Sequence, residues 1–175
     1  MKTIVLIRHA KSDRKSKKTS DFDRPLSKRG LKDAPLMGKV LKNFITPDLI
    51  LTSPAARALK TAQSIAAAYN MNGETIQTNP QLYLESKSTL LNAIKQTDNR
   101  YNTVFVVGHN PGLTDLINYL SLETVDNLPT SGAFAVNFDT ENWEDIDSAS
   151  GKLLFYEFPK KHRDAAKQNE ENMID

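Results

Sequence analysis

A chain of 175 residues is long enough for one sizeable hydrophobic core and short for two, so a single domain is expected. With 39% hydrophobic and 25% charged residues and a formal charge of +2, it has the composition of an ordinary globule, and its net charge makes no case for nucleic acid as a partner. The absence of cysteine excludes a disulfide framework, thiolate catalysis and thiolate metal ligation, and no apolar run reaches the length of a signal peptide or a membrane span, so a cytoplasmic protein is expected.

The first apolar run, Thr3-Ile4-Val5-Leu6-Ile7, is short and β-branched, as suits a central strand covered on both faces, and it ends abruptly in Arg8-His9-Ala10-Lys11. By itself this stretch fits either a strand that merely reaches solvent or one that delivers reactive side chains. Residues 11–20 carry five cations and no apolar periodicity. They read as a loop, either solvated or serving as a rim that attracts phosphate or a partner.

Ser27 is the expected N-cap of a helix running to about residue 44, with Leu36, Met37, Val40, Leu41 and Phe44 along one stripe. Pro35 predicts a kink in it, or a restart capped by Asp33. After a second strand, Leu49-Ile50-Leu51-Thr52, the pair Ser53-Pro54 offers an N-cap hydroxyl and a proline suited to the first helical position. The alanine-rich helix that follows should extend to about Tyr69. Arg57 falls in its first turn, where the macrodipole opposes a cation. A bound anion would relieve that conflict, and so would pairing with an Asp or an excursion into solvent.

Residues 75–78 read as a weak edge strand, and Ser86 or Ser88 can cap a short helix that buries Leu90, Leu91 and Ile94. The strongest strand, over residues 103–107, delivers Gly108-His109-Asn110-Pro111-Gly112, a second buried strand that ends in a histidine. Two of the three histidines thus occupy equivalent places. Ligands in open α/β sheets bind outside the carboxyl ends of the strands, so Arg8, His9, Arg57 and His109 converge if these two strands are parallel neighbours. A helix bearing Leu113, Leu116, Ile117 and Leu120 follows. Strands over 133–138 and 152–158 then pair as a hairpin, which leaves one strand antiparallel in a mostly parallel sheet. Trp143, in the polar loop between them, reads as a local packing plug, and His162, in a charged tail, as a solvated side chain.

In chain order, Arg8-His9-Ala10 with Lys11-Ser12, Arg24-Pro25-Leu26-Ser27-Lys28-Arg29-Gly30, Thr52-Ser53-Pro54-Ala55-Ala56-Arg57-Ala58-Leu59-Lys60-Thr61-Ala62, Val107-Gly108-His109-Asn110-Pro111 and Thr130-Ser131-Gly132 together resemble the motifs of the histidine phosphatase superfamily. More narrowly they resemble its SixA-type phosphohistidine phosphatase branch, with Ala10 standing where the family signature has Gly. The resemblance covers nearly the whole chain. It implies a three-layer αβα sandwich with a mostly parallel central sheet and one antiparallel strand, phosphoglycerate mutase-like, in which residues 1–159 form the domain and 160–175 a charged C-terminal tail.

The resemblance further implies that His9 is the nucleophile, forming a covalent phosphohistidine intermediate while a backbone carbonyl holds its other ring nitrogen. Arg8, Arg57 and His109 would bind and stabilise the transferred phosphoryl group, with Arg24 as a further phosphate contact. No metal and no cofactor is implied. The expected substrate is a phosphohistidine-bearing protein, the alternatives being a small phosphorylated metabolite or a catalytically silent phosphate-binding domain. Neither nucleic acid nor a membrane is an expected partner. Many relatives carry a glutamate that protonates an alkoxide leaving group. Glu85 is the local candidate, one place off the usual Leu-x-Glu spacing, and the SixA-like branch commonly lacks that acid.

Overall fold

Six strands and five α-helices follow one another in the computed structural model, which describes residues 1–15, 17 and 19–173. Lys18 of the basic loop and Asp175 of the tail lie outside the described residues. The order is β1 (Lys2–Arg8), α1 (Lys28–Leu41), β2 (Leu49–Thr52), α2 (Ala56–Ala68), β3 (Ile76–Thr78), α3 (Lys87–Lys95), β4 (Thr103–Gly108), α4 (Gly112–Leu120), β5 (Ala133–Phe138), β6 (Lys152–Glu157) and α5 (Arg163–Asn172). The strands form one sheet in the order β3-β2-β4-β1-β5-β6. β1 and β4 are parallel neighbours, and β5, antiparallel to both β1 and β6, is the single reversed strand among the described residues.

Successive side chains of a strand point to opposite faces, and that period sorts the core into two layers. Ile4, Leu6, Val104, Val106, Phe134 and Val136 pack under α3 and α4 with Leu90, Ile94, Leu113, Leu116 and Ile117. Val5, Ile7, Phe105, Val107, Ala133 and Ala135 pack under α1 and α2 with Met37, Leu41, Ala58, Ala62 and Ile65. Trp143 is fully buried in the first layer and plugs the loop before β6, as the sequence suggests.

Four local expectations are corrected. α1 is continuous through Pro35 and ends at Leu41, short of residue 44. The proline sits on a half-exposed face, where the carbonyl that loses its partner can be solvated. Asp33 caps nothing: it is buried and pairs with Arg163 (2.8 Å) and Arg29 (3.3 Å), tying the start of α5 to α1. Ser53-Pro54 does not start α2, which begins at Ala56 without a side-chain cap; the Phe22 carbonyl accepts the Ala56 N–H (2.9 Å), and Ser53 is used elsewhere. His162 is not simply solvated, because its Nε2 lies 2.6 Å from Glu157 Oε2.

One glycine fixes how the loop after β1 meets α1. A Cβ on Gly30 would stand 2.1 Å from the Lys11 carbonyl oxygen, which also accepts from the Ser27 N–H (2.8 Å) and hydroxyl (3.0 Å). Gly30→Ala is therefore expected to lower stability by about 1–3 kcal/mol, the usual cost of forcing atoms into a packed contact. Urea denaturation measures it, and a loss indistinguishable from zero would show that the contact yields.

Candidate active site

β4 lies between β1 and β2, and the helices after β1 and β2 pack on one face while the helix after β4 packs on the other. The chain therefore leaves the carboxyl ends of three adjacent parallel strands in opposite directions and opens a crevice there. Pairing continues one residue past each strand: the His9 N–H donates to Gly108 O (3.0 Å) and the Ser53 N–H to Val107 O (3.0 Å). The His9 and His109 rings are consequently neighbours, with centroids 5.1 Å apart, and they are only 8% and 4% exposed.

The surroundings of His9 set its tautomer. Nδ1 lies 2.7 Å from the Ala10 carbonyl oxygen, which can only accept, so the ring proton sits on Nδ1 and Nε2 presents a lone pair. Arg57 Nε faces that lone pair at 3.3 Å. The loop is pinned to α2 by Thr61, whose Oγ1 accepts from the Ala10 N–H (2.9 Å) and donates to Arg57 O (2.7 Å). The second imidazole is held by Ser53, whose Oγ is 2.8 Å from His109 Nε2, and the Tyr83 ring meets it edge-on at 5.5 Å.

Arg8, Arg24 and Arg57 reach the same space by different routes. Arg8 donates from Nη1 to Leu128 O (3.0 Å). Arg57, 2% exposed, donates to the backbone oxygen (2.6 Å) and the carboxylate (3.1 Å) of Asp21, while Arg24 holds the other carboxylate oxygen at 2.7 Å and is hydrogen-bonded to Ser12. Tyr83 donates its hydroxyl to Asp21 at 2.7 Å. The Tyr83 and Arg24 hydrogen bonds hold the Asp21 carboxyl well below the usual carboxylate range. Of the outcomes open to Arg57 in the sequence, pairing with an Asp is realised, yet its Nε still points at His9. Asp21 itself escaped the motif reading; its place three residues before Arg24 is the signal that marks it.

These side chains surround a pocket of about 180 Å³ bounded by five cations (Arg8, Lys11, Arg14, Arg24 and Arg57), one carboxylate (Asp21) and both histidines. Among the described residues of the basic loop, Lys11, Ser12 and Arg14 reach it. Thr130 also lines it, and the next residue, Ser131, adopts φ 58° so that its N–H can donate to Arg8 O (3.0 Å). A left-handed serine costs about 1–3 kcal/mol, strain that persists where the surroundings impose it. Four buried side-chain polar atoms lack a partner among the described residues, and three belong here: Arg8 Nε, His109 Nδ1 and Ser131 Oγ. Glu85 is exposed and does not border the pocket, whereas its neighbour Leu84 does. A larger groove, about 790 Å³ between α1 and α5, has no histidine in its wall. No group of three His, Cys, Asp or Glu side chains is placed to hold a metal ion among the described residues.

Burial, reinforced by Arg57 and the other nearby positive charges, pushes the His9 imidazole down to about 3 and His109 to about 4. Both are neutral in the fold, whereas unfolded histidines take protons near pH 6.5, so below that pH the unfolded chain binds more protons and stability falls on acidification. Urea titrations between pH 7 and 4 should show this loss. The slope should be shallower in His109→Asn; equal slopes would contradict the assignment.

The family model for the histidine phosphatase superfamily (branch 1) matches residues 4–83. An uncharacterised protein of Mycobacterium tuberculosis is 30% identical over 165 residues, spanning 88% of this chain and all of the relative. Among solved structures, one described as a candidate phosphohistidine phosphatase SixA from Agrobacterium tumefaciens superposes with a TM-score of 0.77 at 27% identity, covering 90% of this chain and 98% of the other. The protein histidine phosphatase SixA complexed with tungstate gives a TM-score of 0.77 at 23% identity over 91% and 98% of the two chains.

Proposed function

Because the chain belongs to the histidine phosphatase superfamily and to its SixA-type branch, and is thereby a phosphatase, we propose that it hydrolyses phosphohistidine in a phosphoprotein through a covalent intermediate on His9. The observation that carries this reading is the His9 tautomer: Nδ1–H donates to the Ala10 carbonyl, which leaves the Nε2 lone pair facing Arg57 in a pocket walled by cations. An attacking imidazole has to be neutral, and burial keeps it so.

In the first step Nε2 attacks phosphorus in line with the leaving group, the new N–P bond forms, and the substrate N–P bond breaks with its electron pair going to the departing imidazole. In the second step water attacks phosphorus and forms the new O–P bond, the His9 Nε2–P bond breaks with its electron pair returning to Nε2, and inorganic phosphate leaves carrying the protons of water. Charge in such a transfer spreads over three equatorial oxygens, so catalysis consists of positioning and electrostatic stabilisation. Arg8, Arg24, Arg57 and His109 are the groups that supply it, and the Arg8 Nε–H, without a partner among the described residues, is a donor suited to those oxygens.

The leaving group decides between phosphohistidine and a phosphate ester. A sugar or serine alkoxide needs a proton as it departs, whereas a phosphohistidine whose second ring nitrogen is protonated leaves as neutral imidazole. Glu85, the acid candidate of the sequence, is exposed and does not line the pocket, which favours the labile N–P bond. Glu85→Gln is expected to change kcat by less than about twofold, since it touches no reacting atom. The deciding measurement is kcat/KM on a phosphohistidine carrier protein, sugar phosphates, phosphoserine and nucleotides. Preference for an ester, together with a large loss in Glu85→Gln, would replace this reading with a small-molecule phosphomonoesterase.

A further inference from the structure

Ser53 looks in the sequence like the N-cap of α2, yet the helix begins at Ala56 and Ser53 is completely buried. Its Oγ accepts from the Ala55 N–H at 3.2 Å and stands 2.8 Å from His109 Nε2. A serine hydroxyl has one proton to give, and these are the two polar atoms recorded beside it. If His109 carried its proton on Nε2, Ser53 would accept from both neighbours and its own hydroxyl proton would be buried without an acceptor, which folded proteins avoid. If Ser53 donates to Nε2, its hydroxyl and Nε2 are both satisfied and the imidazole proton moves to Nδ1, which leaves that atom as the single one of these groups without a partner among the described residues.

Nδ1 is the atom of His109 that is buried without a protein partner, and His109 lines the pocket. A protonated Nδ1 is a donor that awaits an acceptor, and an oxyanion in the pocket is one. From these contacts we propose that Ser53 is a positioning residue that locks neutral His109 in its Nδ1-protonated tautomer and so makes it a donor to a phosphoryl oxygen. The proposal rests on the phosphatase reading for its oxyanion, and on geometry alone for its tautomer. It gives the start of α2 a task as well. The Ala55 N–H lies at the positive end of that helix, and the chain Ala55 N–H to Ser53 O–H to His109 Nδ1–H carries its polarisation toward the anion. The low affinity of this buried imidazole for a second proton keeps the arrangement intact through neutral pH.

The test is the tautomer itself. Protein labelled with ¹⁵N-histidine is observed at pH 7.5 by long-range ¹H–¹⁵N correlation, with and without inorganic phosphate. Ligand-free wild type should show His109 with a protonated Nδ1 and a bare Nε2, and phosphate should shift the Nδ1 signal. Ser53→Ala should move the ring toward the Nε2-protonated form and lower kcat/KM by about 10–100-fold, as loss of a partner that orients a ligating histidine does. His109→Asn, whose amide nitrogen can stand near the Nδ1 position, should retain more activity than His109→Gln. An Nε2-protonated His109 in wild type overturns the proposal, and does so even if Ser53→Ala fails to fold. The expected tautomer in a protein that releases phosphate from no substrate would leave the proposal for Ser53 standing and remove the phosphatase reading instead.

Discussion

His9→Ala is expected to reduce phosphate release by on the order of 10⁴-fold or more, the scale on which loss of a covalent nucleophile acts. Wild-type enzyme quenched during turnover should carry one acid-labile phosphoryl group on His9, and the variant none. Substitution leaves the five surrounding cations in place, so inorganic phosphate should still bind with an affinity within a few-fold of wild type. That combination, retained binding with turnover and labelling lost, separates a nucleophile from a residue that merely shapes the pocket. Substantial turnover by His9→Ala would end the covalent mechanism.

Arg57→Lys should be the second most damaging change despite conserving charge, lowering kcat by about 10²–10³-fold, as the loss of an aimed donor in a charge-stabilising site does. The guanidinium performs three tasks from one rigid plane: Nε faces His9 Nε2, Nη1 meets the Asp21 carbonyl and Nη2 its carboxylate. An ammonium group cannot present a planar fork, so it can serve one of these directions at a time. Asp21 remains held by Arg24 and Tyr83, so the fold should survive, with an unchanged near-UV circular dichroism spectrum. A lysine variant within tenfold of wild type would show that charge, and not geometry, is what position 57 supplies.

Much of this arrangement could be read before any coordinates, and the reasons are physical. Strands β1 and β4 announce themselves because a strand buried on both faces needs an unbroken apolar run, and a charged or titratable residue at its end is conspicuous against that background. Placing His9 and His109 together then required only that the two strands be parallel neighbours, which they are. Contacts that depend on which polar group wins a partner were not legible. Ser53 carries a capping signature, yet its hydroxyl stands between the Ala55 N–H and His109, and the helix begins only at Ala56, whose N–H is met by the Phe22 carbonyl. Asp33 looked like a restart signal and instead pairs with Arg163, 130 residues away in sequence. Asp21 is likewise defined by three partners, of which only Arg24 is near it in sequence. Local pattern fixes a backbone element well, but a short polar side chain answers to whatever the tertiary structure brings within reach.

The pairing of β1 with β4 runs without interruption from Thr3 opposite Thr103 to Arg8 opposite Gly108, in the middle of the sheet. Amides in such a position open to solvent only when the whole domain does. Arg24 and Asp21, by contrast, belong to a loop outside the sheet, joined to its surroundings by an isolated bridge between Ser12 and Leu26, by backbone bonds from Asp13 to Pro25 and from Ala56 to Phe22, and by the bonds of Arg57 and Tyr83 to Asp21. The two halves of the site therefore have different opening free energies. A fluctuation that frees the loop would displace Arg24 and Asp21 and leave the two imidazoles in place, their rings tilted by 53°. Hydrogen exchange should therefore show the amides of β1 and β4 protected for longer than those of residues 20–26, and equal protection would contradict this division.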